Sequence, residues 1–287
     1  MVSDFETAVD SVVSGDSETL RSLLRADPEL VRRRSSRPHR ATLLHYIAAN
    51  GVEDERQRTP RNILEIAKTL LDAGAEVDAV ADMYDAEATT MDMLVSSEPP
   101  AAAGVQPALA ELLLDYGSDI NRRAKHGQTP VVTALAFGYR GTAEVLARRG
   151  ASLSFEALAG LGRLDEVRTA VPVADSAARH AALALAAQHG QTPIVQIFLD
   201  AGEDPNRYNP PGYHGHSTPL HQAVAGGHID VVKLLVERGA RLDIRDTIYD
   251  GTPLDWALYL KKDAIAAFLK PDRSSPSPTP SPSPSRS

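Results

Sequence analysis

The chain has no cysteine among its 287 residues. That excludes a disulfide framework, a Cys-ligated zinc site and a thiol nucleophile, and leaves the compartment unfixed by redox chemistry. Aromatic residues make up only 5% of the chain, with a single tryptophan, while alanine is plentiful. Small side chains let helices approach one another closely. An excess of positive charge is also missing, since the formal net charge is −8. This weighs against nonspecific nucleic-acid binding, where clustered cations supply the affinity. No apolar run approaches the roughly 18 residues that a membrane-spanning helix needs. The first residues, MVSDFETAVDSVV, lack the basic start and apolar stretch of a secretory signal. Phosphate-loop, dinucleotide-binding, GxSxG and HExxH patterns are absent too. The expectation is a cytoplasmic, monomeric protein that is not an enzyme, holds no cofactor or metal, and binds neither nucleic acid nor membrane.

What is present is a period. Ser217 to Asp246 runs Thr-Pro-Leu-His, a small-residue helix, Gly-His, a second apolar helix, Gly-Ala and a polar connector. The opening returns at Thr252-Pro253-Leu254, 34 residues after Thr218, and stands earlier at Thr129-Pro130-Val131. Thr caps a helix N-terminus, and Pro sits at the first helical position, where its missing N–H costs nothing. Gly227 and Gly239, Gly138 and Gly150, and Gly190 and Gly202 each lie 12 residues apart and bracket a second helix. Helix–turn–helix units of this length cannot bury their apolar faces alone, so the period predicts a stacked solenoid.

These residues resemble the ankyrin repeat family, whose pattern is roughly G-x-TPLH-x-AA-x-x-GH-x-x-VV-x-LL-x-x-GA. The resemblance covers about Phe5 to Leu269. It implies an all-α solenoid of stacked helix-turn-helix units with short hairpin-like fingers. The expected layout is an array over 1–271, in about eight helix pairs including caps, followed by a disordered Ser/Pro-rich tail over 272–287. Phe155 to Val171 lacks Gly-Ala and a proper connector, and Ala181 to Ala201 has lost Thr-Pro-Leu-His. The array is therefore expected to be irregular in its middle. Two turns within pairs are enlarged, at 51–60 and 96–107, and are expected to be neighbours on the edge opposite the fingers. Their bland reading is tolerated loop insertion.

Several clusters invite a chemical reading. His214, His216, His221 and His228 lie within fifteen residues. The resemblance makes His221 and His228 structural, and His214 and His216 lack an acidic or Cys partner nearby. A polar finger is the expectation. The basic run Arg32-Arg33-Arg34, with Arg37 and Arg40, reads as a solvated finger. The position after the TPLH histidine is held by Tyr46, Met93, Thr133, Gln222 and Trp256, and is expected to be partly exposed on the concave side. Connector residues Tyr84, His126, Tyr208, Tyr213, His214, Arg245 and Tyr249 would extend that surface. Tyr, Trp and Arg dominate interface energetics when centrally buried. Trp256 fits equally as a partner contact or as a plug against the last unit.

The functional expectation is a non-catalytic protein-interaction module, scaffold or regulator, that binds a partner through its concave face and fingers. Two rivals are a secreted effector or toxin–antitoxin type partner, and an accessory, substrate-presenting part of an enzyme. Ala-rich helices and the excess of Arg over Lys suit a bacterial, GC-rich source.

Overall fold

The computed structural model describes residues 4–124 and 127–270. His126 and the Ser/Pro-rich segment lie outside the described residues. Eight helix pairs follow one another among those described. The first is α1 (Asp4–Ser14) with α2 (Ser17–Ala26). In the second, a 3-10 segment, Leu43–Ala48, precedes α3 (Ile63–Asp72). The third runs through α4 (Thr90–Leu94), the short α5 (Glu98–Ala102) and α6 (Gln106–Asp115). Then come α7 (Pro130–Ala136) with α8 (Arg140–Arg148), α9 (Phe155–Leu161) with α10 (Leu164–Ala170), and α11 (Ser176–Gln188) with α12 (Thr192–Asp200). The last two are α13 (Pro219–Gly226) with α14 (Ile229–Glu237), and α15 (Pro253–Tyr259) with α16 (Asp263–Leu269). The first members of successive pairs pack on each other as an inner row, and second members form an outer row.

Local chemistry explains the ends. Thr218 and Thr252 are N-caps with Pro next in line, and each forms a reciprocal capping box with the residue three later. At Thr218 that residue is His221. Its Nδ1 accepts the Thr218 N–H at 3.3 Å, and its Nε2–H donates to the Gly251 carbonyl at 3.1 Å, tying one unit to the next. His45 accepts from Thr42 N–H in the same way at 3.1 Å. Accepting at Nδ1 requires a neutral ring, and burial pushes His45 down to about 4. The Leu43–Ala48 segment stops after six residues because Ala49 turns left-handed, at φ 48°, and the chain enters the first insert.

One finger is a true hairpin. β1 (Val80–Met83) pairs antiparallel with β2 (Ala86–Thr89), Val80 opposite Thr89 and Met83 opposite Ala86. Its two turn residues, Tyr84 and Asp85, both have positive φ, 52° and 59°, as a twist-matched two-residue hairpin requires.

The buried apolar residues divide into two clusters, and the division falls at α9 to α11. Here the α9–α10 unit passes into α11 after only a short link, with no finger of its own. A finger from further along the chain lies over the gap. Gln128 Nε2–H donates to the Gly212 carbonyl at 3.1 Å, and His214 Nε2–H to the Ala136 carbonyl at 2.6 Å. The Tyr213 hydroxyl donates to Glu156 at 3.1 Å, and its ring packs on the N-terminal cluster. The segment 207–217 thus reaches back from its own unit, past α11 and α9, to α7.

Candidate partner-binding face

The inner row is covered at one end and open at the other. At the N-terminal end the insert 51–60 folds back instead of projecting. Arg56 reaches Glu6 and Asp10 of α1, at 2.6 and 2.8 Å. Glu53 receives Arg37 at 2.6 Å and His39 at 3.1 Å, both from the preceding connector. Burial alone would raise the Glu6 carboxyl, but hydrogen bonds from Arg56 and Arg37 outweigh it and hold it below its ordinary value. The insert therefore lies over the first two units, and Tyr46 beneath it is fully buried. Burial, then the Glu53 charge, pushes the Tyr46 hydroxyl up to about 12.

The second insert departs beside the first, since Asn50 donates to Ser96 Oγ at 3.0 Å and Ser97 Oγ to the Ala49 carbonyl at 3.3 Å. Beyond that contact the first insert crosses towards the connectors, so the expectation that both lie on the opposite edge is corrected. The basic run is spent on the fold as well. Arg33 pairs with Asp27, Arg34 donates to the Val80 carbonyl, and Arg37 bridges Glu6 and Glu53.

Beyond the insert an apolar groove opens between Tyr84, Thr133 and Phe137. Tyr84 is 69% exposed at the hairpin tip, and its hydroxyl donates to Asn50. Past the 207–217 finger lies a second groove, a cavity of about 580 Å³ lined by Tyr249, Asp255, Trp256, Tyr259 and Leu260. Its organiser is Asp246, which is buried. Oδ1 accepts the backbone N–H of Ile248 and Tyr249, at 2.9 and 2.7 Å. Oδ2 accepts Gly251 N–H and Trp256 Nε1–H, both at 2.9 Å. Burial would raise this carboxyl, but the four donors together bring it down to about 2. Trp256 is thereby fixed edge-on to His221, with ring centroids 5.1 Å apart, the His216 ring lies tilted beside it at 6.0 Å, and part of its surface lines the groove.

The residues expected on the face divide accordingly. Tyr84, Tyr249 and Trp256 line grooves. Tyr208 is exposed, but its hydroxyl is bonded to the Arg245 carbonyl at 2.6 Å. Arg245 is exposed and pairs with Asp250. Tyr213 and His214 form the dividing finger, half-buried and bonded to the array. Tyr46 and Gln222 are corrected: neither is exposed. Tyr46 is sealed by the insert, and Gln222 turns inward to donate to Ser217 Oγ at 2.8 Å. Met93, in the same repeat position, is buried too. That position faces the stack more than the concave side.

Phe137 and Tyr259, 52% and 86% exposed, were missed. A signal existed. In register with Ser217 to Asp246, Phe137 stands where Gly226 does and Tyr259 where Ala225 does, large rings at small-residue positions. Asp246 was missed also, although Asp ahead of a turn commonly accepts backbone N–H groups two residues on. Among the described residues no group of three or more His, Cys, Asp or Glu could hold a metal ion, and no helix is long and apolar enough to cross a membrane.

A family model described as ankyrin repeats (3 copies) matches residues 167–277. An ankyrin repeat-containing protein of Schizosaccharomyces pombe is 48% identical over 71 residues, 24% of this chain and 31% of that one. An ADP-ribosylation factor GTPase-activating protein of Arabidopsis thaliana is 49% identical over 59 residues, 21% of this chain and 8% of its own length. An ankyrin repeat and KH domain-containing protein of Caenorhabditis elegans is 28% identical over 225 residues, 74% of this chain and 8% of its own. The chain thus spans less than a third of each relative. All three are eukaryotic and lend no support to a bacterial source.

Proposed function

This chain belongs to the ankyrin repeat family, and from that premise we propose that it is a non-catalytic scaffold or regulator that binds a protein partner on its concave face. Ankyrin repeats are protein-interaction modules. Here contact is made at two places, the Tyr84–Phe137 groove and the Tyr249–Trp256–Tyr259 groove, with the Tyr213/His214 finger between them.

The observation that carries this is the exposure of large rings bordering grooves in a chain that has so few aromatics: Tyr84 69%, Phe137 52%, Tyr249 74% and Tyr259 86%. Exposed aromatic side chains around a groove fit interface anchors. Internal pairing of the basic run supports a protein partner over a nucleic acid. A cytoplasmic location belongs to the same reading and rests on composition.

Tyr213 and Trp256 are bonded into the fold, so the test uses Tyr249→Ala with Tyr259→Ala, both exposed rings. Affinity capture from the source organism should yield a partner with the parent protein and lose it with the double variant, at unchanged circular dichroism. Full retention by the folded double variant and by Phe137→Ala would overturn the reading.

A further inference from the structure

We infer that the Tyr249–Trp256–Tyr259 groove is a seat for an arginine side chain presented on an extended segment of the partner. This rests on the interaction reading above and adds the chemistry of what is recognised.

The groove is built from one helix face and one finger. Trp256 and Tyr259 are three residues apart on α15, and Asp255 and Tyr259 four apart, so each pair shares a stripe of the helix surface. Tyr249 comes from the connector and closes the finger end. The floor is preorganised rather than mobile. Asp246 holds the indole N–H and three backbone N–H groups of the same loop, so the floor is ordered before a ligand arrives.

Three aromatic rings line the groove, two of which, Tyr249 and Trp256, also meet the His216 ring at 6.3 and 6.0 Å, and the one charged group among the lining residues is the Asp255 carboxylate. Asp255 is exposed and caps α15 through Oδ2, accepting Thr252 N–H at 2.9 Å and Thr252 O–H at 2.7 Å. The cap engages Oδ2 and leaves Oδ1 outside it. Nearby Arg245 is turned to Asp250 and does not line the groove. Aromatic rings lining a groove with one carboxylate match a flat, delocalised cation, which stacks on aromatic faces and donates a fork of N–H groups. A compact ammonium would use the carboxylate but match the ring faces less well. The chain's net charge of −8 adds long-range attraction for a basic segment.

Trp256 is the sole tryptophan, so its emission reports this groove alone. Full-length protein is titrated with the capped peptide Ala-Ala-Arg-Ala-Ala. A matched peptide carries citrulline in place of arginine, which keeps the shape and removes the charge. The arginine peptide should shift the emission saturably, and the citrulline peptide should bind about tenfold more weakly. Tyr259→Ala and Asp255→Asn should each weaken the arginine peptide several-fold, with the double difference to citrulline shrinking in Asp255→Asn. Equal binding of the two peptides, no saturable response up to about 10 mM, or an unchanged response in Tyr259→Ala overturns the inference. If partner capture depends on Tyr249 and Tyr259 while the peptides fail, the arginine seat falls and the interaction reading stands.

Discussion

The two ends of the inner row are built from similar units and end up opposite in character. At the N-terminal end a ten-residue insert is drawn down by Arg56 and Glu53, and the aromatic residue beneath it, Tyr46, joins the core. At the C-terminal end a buried carboxylate, Asp246, draws down only its own loop, and the aromatic residue beside it, Trp256, stays at the surface. The end faces differ in the same way. Large exposed apolar side chains are absent from α1 and α2, whereas Leu258 and Phe268 on the last unit are 53% and 40% exposed. Their counterparts one unit earlier, Val224 and Leu234, are covered at 0% and 9%. What separates a sealing charge network from a recognition surface is thus where the carboxylate sits relative to the ring.

Breaking the N-terminal seal should have the largest effect. Arg56→Ala removes the shorter of the two arginine contacts to Glu6 and the contact to Asp10, and leaves Glu6 and Glu53, 22% and 12% exposed at the side chain, sharing Arg37. Removing one partner of a mostly desolvated network is expected to lower stability by about 2–3 kcal/mol, below the fully buried range. Urea unfolding measures it. Protease cleavage within 51–60 should appear at the same time. A loss under about 0.5 kcal/mol would mean that the insert is held by packing alone.

The C-terminal organiser is next. Asp246→Asn can keep the two bonds at Oδ1 but turns an amide donor towards the N–H groups of Gly251 and Trp256. A cost of about 2 kcal/mol is expected. Because the folded carboxyl is held at about 2, against an ordinary 3.8, its contribution is complete above about pH 4 and is lost as pH falls towards 2. The parent's extra acid sensitivity in that window should be missing in Asp246→Asn.

A milder acid range separates the halves. Among the described residues, burial lowers His180, His189, His214, His221 and His228, all beyond α10, and His45 on the N-terminal side. A histidine kept neutral by the fold supports it fully above its ordinary 6.5 and loses that support as pH falls towards the folded value, about 4 for His189. Hydrogen exchange at pH 5 should therefore deprotect α11 to α16 before α1 to α6, relative to pH 7. Uniform deprotection would erase the distinction.

The smallest effect is purely local. Gly239 ends α14 at φ 88° with nothing within 4 Å of an added Cβ. Gly239→Val should cost about 1 kcal/mol through backbone strain alone, read from the melting midpoint.

The helix pairs were legible because their markers are local. A capping Thr, a Pro at the first helical position and a Gly past the last turn act within a few residues of where they stand. The groove was half legible for the opposite reason. Tyr46 reads as exposed until an insert held by Glu6 and Asp10, over 40 residues away in sequence, is placed above it. The finger that carries Tyr213 and His214 reads as polar and solvated, yet its anchors at Ala136 and Glu156 lie 78 and 57 residues back. No period in the chain announces a contact that skips a unit. Tyr259 and Phe137 show in the sequence only as departures, large rings at repeat positions that Ala225 and Gly226 hold in the best-formed unit.

A stacked array ordinarily behaves as a row of independent neighbours, each unit released once the next has gone. The 207–217 finger changes that under load. Pulled from its C-terminal end, the array could not pay out past α13 until Gly212, Tyr213 and His214 had let go of Gln128, Glu156 and Ala136. The weakest-patterned stretch of the sequence, α9 to α11, is spanned by a strut, and the chain should lengthen under tension with a single large step there instead of a series of even ones.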